Sequence, residues 1–202
     1  MTISNTEELR AIYGWPKGRA KDKVLYQLEK HAKHFIACSP FLVLSTFDRS
    51  GKVDASPRGG KPGFVKIIND QTLIIPDAKG NNRVDSLMNI VDTGAVGCLF
   101  LIPGIDETLR INGRGLITTD ATTLHLFSEE QHPPKACLKI GIEEVFLHCA
   151  KALMRSELWK DTYRIDRPGF PTIGTMLSDQ LGTKTIPSES QEEMVERYKK
   201  DL

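Results

Sequence analysis

The residues best suited to do chemistry lie between positions 74 and 87, where an apolar segment is followed by a polar one. Lys79, Asn81, Asn82 and Arg83 bring several side-chain hydrogen-bond donors close together. The order of residue types predicts a strand, a turn and a helix that begins near Asn82. A helix N-terminus offers unpaired N–H groups and a positive dipole end, so a phosphate would be stabilised there.

Two further polar clusters follow predicted strands. They are Ser56, Pro57, Arg58 and Gly59, and then Lys151, Arg155 and Ser156 on a predicted helix. Lys151 and Arg155 are four residues apart and therefore share a helix face. Each cluster alone is weak evidence, because an exposed basic face is usually only solvated and an Asn-Asn-Arg sequence is more often a cap and a surface arginine.

Several other kinds of site are not indicated by the sequence. The histidines have no H-E-x-x-H or C-x-x-C partners, so no metal site is predicted. No nucleophile elbow, Walker-type loop or G-x-G-x-x-G motif is present. We therefore nominate no catalytic acid, base or nucleophile.

The composition is typical of an ordinary globular protein. The chain has 202 residues, of which 40% are hydrophobic and 26% charged, and a net charge of +1. Such a small charge does not favour nucleic-acid binding. No secretory signal and no membrane-spanning segment are visible, and the widely spaced cysteines are interpreted as free thiols, so we expect a cytoplasmic protein.

Apolar runs joined by tight turns predict a mainly β fold with helical additions. The predicted strands are 41–47, 52–60, 64–68, 72–75, 95–102, 108–118 and 138–149. Short connections favour an antiparallel sheet that closes into a barrel of about six strands, in which Gly113 and Gly115 bend the long strand. We expect one domain over 1–202, with N-terminal helices in 1–38, a barrel core in 39–159 and a helical extension in 160–202.

The helices are predicted from caps and periodicity. Asn5 or Thr6 with Glu8 predicts a short helix that ends near Gly14, and apolar residues at helical spacing predict a second helix over 21–38. Asp120 is expected to cap a helix over 121–127, and 150–159 is also expected to be helical. The charged C-terminal tail predicts a solvated helix.

Four segments of the chain carry a more specific resemblance. Residues 54–60 (DASPRGG) and 75–83 (IPDAKGNNR), followed by 99–104 (LFLIPG) and 107–113 (ETLRING), resemble the pyridoxamine 5'-phosphate oxidase-like family. Within it, the chain is similar to a branch of probable FMN-dependent proteins. The resemblance covers about 35–159 and implies an FMN-binding split β-barrel that forms a homodimer, with one FMN in each cleft between subunits.

The resemblance also implies a set of cofactor-binding residues. Ser56, Pro57, Arg58 and Gly59 would contact flavin and phosphate, Pro76 and Asp77 would lie beside the ring, and Asn82 and Arg83 would hold the phosphate. Thr108 stands where the oxidases have a ring-contacting glutamine. Arg155 and Ser156, with Lys151 on the same helix, stand near a Gln-Ser pair that the oxidases contribute from the second subunit.

The implied function is that of an FMN-dependent oxidoreductase. It would move hydride or electrons between a reduced nicotinamide-type donor, such as NAD(P)H, and an unidentified small molecule. The oxidases' C-terminal segment rich in Trp and Arg has no match after Trp159, so pyridoxamine phosphate oxidation is not implied. The alternatives are a non-catalytic flavin carrier or sensor, and a split barrel that binds haem or another tetrapyrrole.

Overall fold

The computed structural model describes residues 2–182 and 189–201. Its main feature is an antiparallel sheet. The strands are β1 (Phe41–Phe47), β2 (Val53–Gly59), β3 (Lys66–Asn69), β4 (Thr72–Pro76), β5 (Ala95–Leu101), β6 (Thr108–Thr118) and β7 (Cys137–His148). The predicted mainly β, antiparallel split barrel is confirmed, with seven strands among the described residues instead of about six.

The hydrogen-bonded order of the sheet is β2-β1-β5-β6-β7-β4-β3. Strands β2 and β3, which follow each other in the sequence, therefore lie at opposite edges. The position of β2 at an edge also explains why Pro57 lies within it. Proline cannot donate a hydrogen bond to a neighbouring strand, but an edge strand has one unpaired side.

The helices lie between the strands and beyond them. They are α1 (Thr6–Tyr13), α2 (Arg19–Asp22), α3 (Lys30–Cys38), α4 (Asp85–Thr93), α5 (Ala121–His125), α6 (Lys151–Ser156), α7 (Ile173–Leu181) and α8 (Gln191–Lys199). The predicted cap of α1 is confirmed, because the Asn5 side chain accepts a hydrogen bond from the Glu8 N–H and Gly14 ends the helix. The Asp120 cap of α5 is confirmed as well. No helix in the described part of the chain is long and apolar enough to cross a membrane.

The single helix predicted over 21–38 is wrong. Residues 23–29 separate α2 from α3, because Leu25 forms a β-bridge with Val145 through backbone hydrogen bonds of 2.9 and 2.7 Å. The Glu29 carboxylate then caps α3 by accepting from the N–H groups of His31 and Ala32. Apolar spacing could not reveal this, since a residue paired with a distant strand can have the same spacing as one on a helix face.

The core lies between the inner face of the sheet and helices α3 and α4. Its buried side chains include Ile36 from α3, Ile90 from α4, and Leu42, Phe100 and Ile111 from the strands. Burial of apolar surface on this scale is the main stabilising contribution to folding. Of the four cysteines, Cys98 and Cys137 are buried, Cys38 is partly buried and Cys149 is exposed, and all are free.

The bend predicted near Gly113 is a bulge in the pairing of β6 with β7. The register shifts between Asn112 and Gly113. A Cβ at Gly113 would lie 2.1 Å from the carbonyl oxygen of Gly141, so the two backbones approach too closely for a side chain. The bulge increases the local twist and helps the sheet to curve.

Candidate functional site

One cavity of about 910 Å³ joins three parts of the chain. Residues 54–59 of β2 form one wall, and residues 76–86, from the end of β4 into the start of α4, form a second. Arg197, Tyr198 and Asp201 near the C-terminus line a third part. The volume is in the usual range for a cleft that binds a small molecule or cofactor. The cavity lies where the edge strand β2 faces the end of β4.

Arg58 and Asp77 connect these first two walls. The Arg58 Nη1 atom lies 3.0 Å from Asp77 Oδ1, and the side chains are 20% and 27% exposed. The Arg58 Nε atom is buried and has no hydrogen-bond partner among the described residues. A buried donor without a partner is costly, so this atom marks a position where an acceptor from water or a ligand would be stabilising.

The loop between β4 and α4 has an unusual backbone. Asn82 and Val84 have positive φ angles of 59° and 51°. This conformation is rare for a β-branched residue such as valine, and strain of this kind is concentrated at binding sites. The side-chain oxygen of Asn81 accepts a hydrogen bond of 3.1 Å from the Arg83 N–H, which fixes the turn.

The prediction that this helix begins near Asn82 is wrong, and so is the alternative that Asn81 or Asn82 is its cap. Helix α4 begins at Asp85, and Val84 occupies the N-cap position without a side-chain cap. The sequence contains the preferred capping residues two or three positions earlier, but the turn around Arg83 delays the start of the helix. An acidic residue, Asp85, therefore lies in the first turn of α4, where the helix dipole stabilises it.

Three cations on the first two walls have carboxylate partners. Besides Arg58, the Arg83 Nε atom lies 3.0 Å from Asp85 Oδ2, and Lys79 forms an ion pair with Asp201. Hydrogen bonding to Lys79 lowers the pKa of the Asp201 carboxyl, so this group is an anion at neutral pH. These carboxylates compete with any anion that binds to the loop.

The contribution of the C-terminal segment was missed by the sequence analysis. Helix α8 was expected to be only solvated, yet Arg197 and Tyr198 line the cavity together with Asp201. The Arg197 guanidinium is held by two hydrogen bonds to Glu189, of 2.8 and 2.7 Å. No sequence signal could have shown this, because the contact joins positions 79 and 201, which are far apart in the chain.

The structure brings eight of the twelve predicted binding residues to this cavity. They are Ser56, Pro57, Arg58, Gly59, Pro76, Asp77, Asn82 and Arg83. The other four lie elsewhere, near the end of the β6/β7 pair: Thr108 is 8% exposed and pairs with His148, and Lys151, Arg155 and Ser156 lie on the following helix α6. The Ser156 hydroxyl donates to the Leu153 carbonyl.

Comparison with known proteins identifies the family. The family described as pyridoxamine 5'-phosphate oxidase has a sequence model that matches residues 28–149, which is more than half of the chain. The chain belongs to this family. The matched segment begins just before α3 and ends after β7, so it contains the whole sheet and two walls of the cavity. The C-terminal helices α7 and α8 lie outside it. No curated protein matches the chain.

Two solved structures, of one protein and its variant, show a similar fold at low sequence identity. HupZ from Group A Streptococcus has 19% identity and a TM-score of 0.50, over 59% of this chain and 93% of that one. A variant of HupZ has the same identity and a TM-score of 0.51, over 59% and 98%. An FMN-binding protein from Syntrophomonas wolfei has 15% identity and a TM-score of 0.44, over 71% and 97%.

Proposed function

We propose that this family member binds FMN in the cavity between β2 and the β4–α4 loop. The observation that carries the proposal is Arg58 Nε, a buried donor without a partner, in a cavity lined by eight of the residues that the family resemblance assigns to cofactor binding. A cofactor with a phosphate group supplies the missing acceptor. The residues that line the cavity therefore fit a cofactor that carries a phosphate group.

The phosphate would be held by Arg58, Asn82 and Arg83. A guanidinium has five N–H donors, and Arg58 uses only Nη1 on Asp77, so it can bind a phosphate without losing that ion pair. Arg83 is 75% exposed and can turn from Asp85 to a second anion at little cost. Charge-assisted hydrogen bonds from two arginines would neutralise a phosphate dianion.

The flavin ring would lie towards Pro76 and Asp77, with Ser56, Pro57 and Gly59 on the facing strand. Bound FMN supplies hydride and electron transfer, while the protein contributes binding, orientation and electrostatics. We accordingly propose an oxidoreductase without an essential side-chain acid or base, which acts between a reduced nicotinamide-type donor and a small molecule.

The remaining four residues support a site shared by two subunits. Thr108, Lys151, Arg155 and Ser156 group at the end of the β6/β7 pair, outside the cavity of their own chain. In a homodimer, residues of this kind can complete the partner's cavity. We propose this arrangement, in which each cleft between subunits holds one FMN.

The haem alternative is less favoured by the cavity. None of the described residues that line it is a histidine, the usual axial ligand in globins and peroxidases. A carrier or sensor role remains the main alternative to catalysis, because family membership does not fix the chemistry.

The first experiment tests FMN binding. Protein produced with ample riboflavin should be yellow, release FMN on denaturation and gain thermal stability with added FMN by mass action. Colourless protein that neither quenches FMN fluorescence nor gains stability would overturn the proposal.

The second experiment separates the oxidoreductase from the carrier. Anaerobic protein loaded with FMN is mixed with NADH or NADPH, and the bleaching of the flavin absorbance is followed. Rapid reduction, followed by reoxidation with one of a panel of small acceptors, supports the enzyme. Flavin that stays oxidised with both donors supports the carrier.

A further inference from the structure

The loop between β4 and α4, residues 77–84, is connected at both ends to side chains of the edge strand β2. At its start, Arg58 forms the ion pair of 3.0 Å with Asp77. Just past its end, the Ser86 hydroxyl donates a hydrogen bond of 2.5 Å to Asp54 Oδ2. Ser86 is 3% exposed and lies in the first turn of α4. One strand therefore contacts both the start and the end of this loop.

The spacing of Asp54 and Arg58 on β2 makes these two contacts possible. Exposure alternates along the strand, and Asp54, Ser56 and Arg58 are half-buried positions on one face of it. Residues four positions apart in a strand are separated by about 13 Å. The carboxylate and the guanidinium can therefore contact opposite ends of the same loop.

The backbone between the two contacts is strained. Asn82 and Val84 have the positive φ angles described above, and such conformations persist only where the surrounding structure holds them. Val84 occupies the N-cap position of α4 without a side-chain cap, and Ser86 follows it by two residues. Asp54 thus supplies, from another strand, a fixed point next to the turn that carries Asn82 and Arg83.

The rest of α4 is joined to the sheet by separate polar contacts. Asn89 Nδ2 donates a hydrogen bond of 3.0 Å to Thr46 Oγ1, and the Thr93 hydroxyl donates one of 3.1 Å to the Phe47 carbonyl. Arg114 Nη2 donates one of 2.8 Å to the Thr93 carbonyl. These five residues do not line the cavity. Because they attach the middle and the end of α4, the effect of Asp54 should be confined to the first turn and the loop before it.

We propose that Asp54 is a positioning residue for FMN binding. Through Ser86 it fixes the start of α4, and with it the direction in which Asn82 and Arg83 face the phosphate. This inference rests on the proposed binding of FMN. By charge alone, a carboxylate beside the cavity would repel a phosphate. Loss of Asp54 should nevertheless weaken binding, because a loop that is ordered before the ligand arrives loses less entropy on binding.

The first test is FMN titration by fluorescence quenching. Asp54→Ala and Ser86→Ala should each weaken FMN binding about tenfold or more, as for one hydrogen bond to a charged group. The double variant should bind no more weakly than the single variants, because both substitutions remove the same contact. Asp54→Asn should bind nearly as well as the wild type, since its amide oxygen can still accept from Ser86.

The second test observes the loop without FMN, through the backbone amide NMR signals of Asn82 and Arg83. These signals should change in Asp54→Ala and Ser86→Ala and stay close to wild type in Asp54→Asn. The matched control is Asn89→Ala, which removes the contact one turn further along α4. It should lower thermal stability but change neither the loop signals nor FMN affinity. If the wild type binds no FMN, the proposed function fails, whereas these signals still decide whether Asp54 positions the loop.

Three results would overturn the inference. Tighter FMN binding in both Asp54→Ala and Asp54→Asn would show that the carboxylate acts on the ligand by charge alone. Unchanged FMN affinity and loop signals in Ser86→Ala would show that the contact does not act on the loop. Equal weakening of FMN binding in Asn89→Ala would show a general loss of stability. If Asp54→Ala fails to fold, Ser86→Ala and Asp54→Asn decide the outcome.

Discussion

Arg58 and Asp77 form an ion pair of 3.0 Å that joins the edge strand β2 to the segment that follows β4. Arg58 lies on the edge strand β2, and Asp77 follows β4, which is next to the opposite edge. The pair therefore connects two regions that no shared strand pairing joins, and it does so inside the candidate site. Arg58 thus has both a structural role and a proposed role in binding.

This double role can be measured with a double-mutant cycle of Arg58→Ala and Asp77→Ala in urea denaturation. Because both side chains are mostly buried, we expect a coupling free energy of about 1–3 kcal/mol. The matched control is the exposed Lys33–Asp70 pair at 2.6 Å, whose coupling should be below about 1 kcal/mol. Equal coupling for the two pairs would contradict a special role of Arg58 and Asp77 in closing the sheet.

Arg83→Ala should weaken FMN binding by about 1.5–3 kcal/mol, the range for a hydrogen bond to a charged group. The fold should be unaffected, because Arg83 is mostly exposed. FMN titration by fluorescence quenching measures the effect. The control is Arg164→Ala, since Arg164 has a similar exposed pair with Asp161 but does not line the cavity. Equal affinity in both variants would remove Arg83 from the proposed phosphate site.

Asp201→Asn should strengthen FMN binding. The carboxylate occupies Lys79 within the cavity, so its removal frees a cation and takes away a negative charge that repels phosphate. The gain should diminish as salt is added, because both groups are exposed. The control is Glu192→Gln, which removes one negative charge from α8 outside the cavity. This variant should bind FMN as tightly as the wild type. Weaker binding in Asp201→Asn would instead show that the ion pair holds α8 in a position that favours the cofactor.

Gly113→Ala should destabilise the protein by about 3 kcal/mol or more, because the added Cβ would collide with the Gly141 carbonyl oxygen and backbone cannot move aside cheaply. Gly141→Ala is the control on the facing strand, since its Cβ would meet the Arg114 oxygen at an ordinary 3.8 Å. Thermal unfolding compares the two. Similar melting temperatures would mean that the bulge adapts to a side chain.

Acid should destabilise the protein partly through His148. The pKa of His148 in the folded protein is below its ordinary value of 6.5, because of burial and then the charges of Arg110 and Lys23. The unfolded chain therefore takes up the proton first, and this contribution to stability is lost as the pH falls through 6.5. Urea denaturation from about pH 7.5 to about pH 5.5 should show a smaller decrease in His148→Gln than in wild type. An identical decrease would contradict this account.

Much of the fold was predictable from local patterns. The alternation and turns of the strands predicted β1 and β6 with their observed bounds, and short-range caps predicted α1 and α5. These features depend on residues a few positions apart, so the sequence carries them directly. The start of α4 was not predictable, because the turn around Arg83 overrides the capping preference of Asn81 and Asn82.

The sequence by itself determined the antiparallel sheet and the family, since motifs such as residues 54–60 and 75–83 are local and specific. Only the tertiary structure decided that Leu25 pairs with β7, that Asp201 reaches Lys79, and that Lys23, Arg110 and His148 converge on Phe146. The reason is physical: hydrophobic and hydrogen-bonding patterns fix local conformation, whereas contacts between distant residues depend on how the whole chain packs.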